Sequence, residues 1–255
     1  MTEKSTDKKA AFQLGLSIFI LLAFFTAAEY FVAISFASTF LLAVIALVKA
    51  GLVIYYYMHI TKLARSEGED DRKSYAYKTG TNRLGLWLFL LSDAFVFSGL
   101  LVTRFSLLGT HRPELLQSLG LLVTAVLLIS SFFMNRAETA IKHGDRKNFL
   151  VSTAITILLG VAFLVGVVGV EWRLAPFGPS DGAEGAVFYA MTGFHAFHVL
   201  TGVVFLLFVF SNGLRGVFDN GKYWPVEASA VYWHFIDVVW IIFYPALYLI
   251  GTALG

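Results

Sequence analysis

Six ionisable residues stand inside stretches that are otherwise apolar: Lys49, Asp93, His195, His198, His234 and Asp237. A charge at the centre of a bilayer costs several kcal/mol unless it is paired or shielded, so each is a candidate for chemistry. Asp93, in "RLGLWLFLLSDAFVFSGL", reads either as a proton-relay or lipid-headgroup group, or as a neutral structural acid fastening one helix to the next. His195 and His198, in "FYAMTGFHAFHVLTG", are three residues apart and on neighbouring positions of one helix face. Imidazoles so placed can ligate a metal or haem, but a bis-histidine haem needs ligands from facing helices and a zinc or di-iron site needs more clustered ligands. Their commoner use is a hydrogen bond to a neighbouring helix, with Gly193 and Gly202 letting backbones approach.

The stretch "VYWHFIDVVWIIFY", residues 231–244, places His234 and Asp237 on a face shared with Ile241, Tyr244 and Tyr248. They can pair with each other, which reads as a structural lock or subunit contact before a catalytic dyad. Trp233 and Trp240, on an adjacent face, read as aromatic anchors at headgroup level. Lys49, in "VKAGLVIYYYMHITK", is expected to snorkel toward water, with Tyr55, Tyr56, Tyr57 and His59 forming an interfacial belt. Glu29, His59, Glu138 and Glu171 are expected nearer the interfaces. No phosphate loop, catalytic-triad spacing or dinucleotide fingerprint is present.

The elements that hold these residues must be membrane helices. Of 255 residues 58% are hydrophobic and 14% charged, against the roughly 45–50% apolar content of soluble domains. Seven segments reach the ~20 residues that span a bilayer core: 11–33, 36–60, 84–108, 114–134, 149–170, 187–212 and 229–252. The first follows "MTEKSTDKK" and reads as a retained helix, since it is too long for a signal peptide's apolar region and has no small-residue cleavage pattern after it. Of 19 lysines and arginines, Lys49 lies within a helix, Arg104, Arg112 and Arg173 fall on one side, and the remaining fifteen on the other. This asymmetry predicts a cytoplasmic N-terminus and a C-terminus outside. The absence of cysteine excludes thiolate sites and disulfides, and a net charge of +2 gives no reason to expect nucleic acid. The polar interval 61–83 reads as a solvated linker, so the expected organisation is a two-helix unit (1–60), the linker, and a five-helix bundle (84–255). No repeat relates the two units, which removes the inverted-repeat signature of many transporters.

The five-helix unit resembles subunit III of the haem–copper respiratory oxidases. The likeness is carried in order by "LGLWLFLLSDAFVFSGL", "LISSFFMNRAETAIKHGDRK", "TILLGVAFLVGVVGVEW", "TGFHAFHVLTG" and "VEASAVYWHFIDVVWIIFY". The family's acid in the first of these motifs is usually glutamate, and here it is the shorter Asp93. The first two helices of the seven-helix form are expected to be absent, as in the shorter bacterial form. In their place "ALVKAGLVIYYYMHI" resembles a motif of the small bacterial subunit IV. The resemblance implies a non-catalytic supporting subunit of a proton-pumping terminal oxidase in the bacterial cell membrane. Haem and copper would lie in partner subunits, none in this chain. It also implies subunits I and II, small oxidase subunits, a respiratory supercomplex and phospholipids as partners, with cytochrome c or quinol equally open as donor. Carried over by motif, Asp93, Glu171, His195, His198, Glu227, His234 and Asp237 form an internal polar framework, and Arg215 and Lys222 are positioned for anionic lipid. Other readings are a subunit III-like accessory protein of a nitric oxide reductase and a free-standing proton-coupled transporter using Lys49, Asp93 and Asp237.

Overall fold

The computed structural model describes residues 2–36, 38–58 and 75–253. His59 and the linker up to residue 74 lie outside the described residues. Backbone polar groups in lipid have no water to bond, so apolar runs of this length close their hydrogen bonds within helices. Among the described residues seven such helices, counted with the π turns that extend three of them, are long and apolar enough to cross a membrane. They are α1 (Thr2–Ser35), α2 (Thr39–Leu52), α3 (Tyr75–Leu108), α4 (Gln117–Lys142), α5 (Arg146–Leu164), α6 (Gly182–Leu214) and α7 (Trp224–Tyr244). Three of them run on through π-helical turns: α2 through Val53–Tyr57, α5 through Val165–Glu171, and α7 through Pro245–Leu249. In α7 the cause is local, because Pro245 has no N–H to offer the helix, and Ile250 N–H reaches five residues back to the Pro245 carbonyl at 2.8 Å.

Several helices outrun the apolar segments. The third begins at Tyr75 rather than at residue 84, so the end of the expected linker is helical. The fourth continues to Lys142, where Glu138 and Lys142 form an i,i+4 ion pair that supports a helix beyond the reach of lipid. The last starts at Trp224, with Pro225 in its first turn where a missing N–H costs nothing. The Asp145 side chain caps α5 by accepting from Asn148 N–H at 3.0 Å, directly after Gly144 turns the chain with φ 72°.

Helix α7 is the axis of the bundle. Residues Val231–Tyr244 and the following π turn are buried almost without interruption, while α2, α3, α4 and α6 all pack on α7 and α1 packs on α4. Close approach is made by small residues: a side chain at Gly160 would meet the Trp233 ring at 2.6 Å, and one at Gly202 would meet it at 3.0 Å. Gly193 has ordinary clearance from Trp172 at 3.6 Å, so of the two expected approach points only Gly202 is tight.

One end of the bundle, called here the far end, carries the end of α1, the start of α2 and the connections 109–116 and 175–181. There His111–Arg112 pairs in parallel with Thr252–Ala253. Arg104 explains why this end closes. Counted in the sequence among the three cations of this side, it is fully buried (0% exposed). It donates from Nε to the Ala246 carbonyl at 2.7 Å, from Nη1 to that of Gly109 at 2.8 Å, and from Nη2 to those of His111 at 3.0 Å and Ile250 at 2.9 Å. Carbonyls left over at helix ends need donors, and a guanidinium supplies several in a fixed fork.

At the opposite end Lys8 of α1 pairs with Asp145. Burial works against the Asp145 charge, but hydrogen bonds from the Lys8 and Asn148 side chains and the Asn148 N–H, with the Lys8 charge, outweigh it and hold the carboxyl at about 2. A depressed carboxyl stabilises the fold above its unfolded value of ~3.9 and loses that contribution as pH falls through the folded one. Thermal unfolding followed between about pH 5 and pH 2 should show this loss, and Asp145→Asn should flatten that part of the profile. Arg104→Met should cost at least ~2 kcal/mol, since buried carbonyls lose charge-assisted bonds, read as a lowered unfolding temperature in mild detergent.

Candidate functional site

The polar side chains inside the bundle gather along one face of α7 and the helices it touches. Two adjacent serines of α4 take two adjacent residues of α7: Trp233 Nε1 donates to Ser130 Oγ at 3.1 Å, and Ser131 Oγ hydrogen bonds His234 Nδ1 at 2.9 Å. One helical turn on, Asp237 Oδ2 lies 3.4 Å from the same His234 nitrogen, the mutual pair expected from their spacing. The Tyr57 ring packs 5.0 Å from the His234 ring, and its hydroxyl donates to the Gly15 carbonyl at 2.9 Å. This cluster therefore joins α1, α2, α4 and α7. Counted from Trp224, His234 is about 15 Å inside its helix, deep in the bundle and not at its near end.

The aromatic anchors are core residues. Trp233 and Trp240 are both buried, and Trp240 Nε1 donates to Thr124 Oγ1 at 3.0 Å. An indole buried with its N–H satisfied is a packing element, which corrects their placement at headgroup level. The expected tyrosine belt also divides, with Tyr55 exposed and Tyr57 buried, because the π turn at Val53–Tyr57 rotates Tyr57 toward α7.

Lys49 does not snorkel. It is 0% exposed and paired with Glu29 of α1, likewise 0% exposed. The physical reason is that α2 starts at Thr39 so soon after α1 ends at Ser35, which brings positions 29 and 49 together, so an internal partner is nearer than water. Glu29 is therefore a deep residue and not an interfacial one.

His195 and His198 part company despite their spacing. His198 Nδ1 bonds the Phe194 carbonyl of its own helix at 2.8 Å, and its Nε2 lies 3.5 Å from Asp93 Oδ2 of α3. His195 has no hydrogen-bond partner among the described residues. Its ring is held between Trp240 at 4.9 Å and Phe163 at 5.5 Å, so the expected bond to a neighbouring helix is not made there. Among the described residues no three histidine, aspartate or glutamate side chains converge as metal ligands.

Glu171 accepts from the Tyr248 hydroxyl at 2.5 Å, and Glu227 pairs with Arg83 at 3.2 Å, tying the start of α7 to α3. Arg215 and Lys222 are exposed on the near-end connection, where Lys222 Nζ lies 5.8 Å from the Tyr75 ring centroid. Arg104 was the residue that sequence reasoning missed as a buried group; its place four residues before the end of α3 was the available signal.

The comparisons agree with this ordered set of helix contacts. The profile of the cytochrome c oxidase subunit III family matches residues 7–252. The chain belongs to the cytochrome c oxidase subunit III family. It is similar to cytochrome c oxidase subunit 3 of Ceratotherium simum, 36% identical over 183 residues that cover 67% of this chain and 70% of the relative. The same protein of Bos taurus is 37% identical over the same coverage. The residues 7–252 matched as subunit III include α1 and α2, so the family pattern reaches into the N-terminal pair.

Breaking the Lys49–Glu29 pair tests whether these polar groups hold helices together. Lys49→Met alone leaves a buried carboxylate without its partner and should cost ~3–5 kcal/mol. The double substitution Glu29→Leu with Lys49→Met should recover most of that loss, with both read as unfolding temperatures in the same detergent.

Proposed function

We propose that this chain is a non-catalytic supporting subunit of a proton-pumping haem–copper terminal oxidase in a bacterial cell membrane. The observation that carries the reading is how the polar groups are used. His234, Asp237, Trp233, Trp240, Lys49 and Glu171 all contact groups of this chain, an arrangement that supports a scaffold more than a reactive centre. The outer wall is apolar, with Phe89 and Phe95 of α3 and Phe197, Phe205 and Phe208 of α6 exposed. In lipid, such a wall can face acyl chains or a partner's helices, and in this reading it serves both subunit I and bound phospholipid. Subunit II, small oxidase subunits and a respiratory supercomplex complete the assembly. Arg215 and Lys222, exposed at the near end, suit anionic headgroups.

The bias of lysine and arginine supports a cytoplasmic near end and an outward far end. The organisation we propose is a helix pair (1–60), a connecting segment (61–83) and a five-helix core (84–255). The pair has a subunit IV-like motif, while the match from residue 7 supports counting it with the subunit III unit. Its packing on α4 and α7 gives it a structural role under either origin. In this reading Asp93 is a fastening group, its carboxylate beside His198 of the neighbouring helix.

The test is to tag the chain, extract it from its native membrane in mild detergent, and combine a reduced-minus-oxidised visible spectrum with mass spectrometry of the co-purifying chains and lipids. Haem bands with a large histidine-rich subunit are expected. A colourless chain that purifies alone from intact membranes would overturn the reading.

A further inference from the structure

We infer that the far end of the bundle contains a buried site that binds water and an exchangeable proton, entered beside Glu171 and closed at the Glu29–Lys49 pair. This inference does not depend on which complex the chain serves.

The entrance is a crevice lined by Glu114, Leu115, Leu119, Glu171 and Leu174, in which about 10 Å3 is open to the centre of a water molecule, room for roughly one water at a time. Behind it stand three polar side chains, each at least nine-tenths buried and each with an atom that no described protein group satisfies: Glu171 Oε2, the Tyr244 hydroxyl and Glu29 Oε1. Buried polar atoms without protein partners in native folds are commonly bonded to ordered water. These three form a series. Glu171 Oε1 accepts from Tyr248 at 2.5 Å, the Tyr248 and Tyr244 rings lie 5.6 Å apart, and α1, which carries Glu29, packs on the π turn that follows Tyr244.

The backbone is irregular where the series needs it. Glu171 ends one π turn and Tyr248 lies in another, a feature frequent at functional sites. Below the series, Val53 of α2 and Ile241 of α7 are buried apolar residues. They stand one helical turn from Lys49 and Tyr57, and from Tyr244 and Asp237, on the corresponding faces. In this inference these residues mark the inner limit of the site, on the side of the His234–Asp237–Tyr57 cluster. The titratable groups around it are Glu114 at the mouth, Glu171 on α5, Tyr244 and Tyr248 on α7, Glu29 and Tyr30 on α1, and Lys49 on α2. Arg112 donates to the Tyr248 carbonyl at 3.2 Å.

Two measurements on the intact purified complex decide it. A cryo-electron-microscopy map fine enough to show water should place density within hydrogen-bonding distance of at least two of the three atoms; a map showing the region dry would overturn the site. Infrared spectra on acidification should show a carboxylic C=O band that moves to lower frequency in D2O and is lost in Glu171→Gln. That variant keeps an acceptor for Tyr248, and Asp237→Asn should leave the band in place. A band unaffected by Glu171→Gln, or by D2O over hours, would overturn proton exchange there.

Discussion

The constraint on which the rest of this structure depends is that polar atoms inside lipid must find partners within the chain. Helix α7 is where that constraint is most severe, since its stretch 231–249 is enclosed on nearly every side and still carries two tryptophans, a histidine, an aspartate and three tyrosines. Its neighbours answer it position by position. Ser130 and Ser131 take Trp233 and His234, Thr124 takes Trp240, and Glu171 takes Tyr248. Each of these bonds fixes both the rotation and the height of one helix relative to another. Apolar packing alone does this poorly in lipid, where side chains find equally apolar company outside the bundle.

The same requirement accounts for the irregular helix ends. Pro245 withdraws one donor, the π turn redistributes the following carbonyls, and Arg104 of α3 supplies donors to two of them, Ala246 and Ile250, and to two carbonyls of the loop after its own helix, Gly109 and His111. A cation that would be costly in isolation is tolerated because the carbonyls it meets need donors themselves. The β pairing of residues 111–112 with 252–253 then holds the C-terminal segment against the loop that Arg104 has already fastened.

Helix number was legible because a 20-residue apolar run has few alternatives in water or lipid. The His234–Asp237 pair was legible because both residues share one helix and the i,i+3 spacing fixes their proximity. What was not legible needed knowledge of which helices touch. Lys49 looked able to snorkel because its own helix gives it a route to water, and only the α1–α2 hairpin brings Glu29 beside it. Trp233 and Trp240 looked interfacial by residue type, and only the central position of α7 shows that their N–H groups meet hydroxyls of α4. Arg104, near the end of its apolar segment, looked like one more flanking cation, and only the approach of α3 to the end of α7 shows that its fork meets four carbonyls. Spacing within a helix reports contacts along that helix; contacts between helices depend on rotation, which periodicity constrains weakly when almost every face is apolar.

The N-terminal pair shows how such contacts can integrate two units. Several of its polar residues are spent on contacts inside the fold. Lys49 and Glu29 neutralise each other in the interior, Lys8 reaches Asp145 at the near end, and Tyr57 lays its ring on His234. The last two meet the α4–α5 connection and α7 at separate heights, so sliding or rotating the pair would break both together. A bundle joined in this way gains more in specificity than in stability: a buried ion pair offsets little beyond its own desolvation, yet any other register of α1 on α2 would leave a charge alone in lipid. The arrangement therefore excludes alternative dockings of the pair, and that exclusion keeps the polar face of α7 closed inside the chain while its outer wall stays apolar.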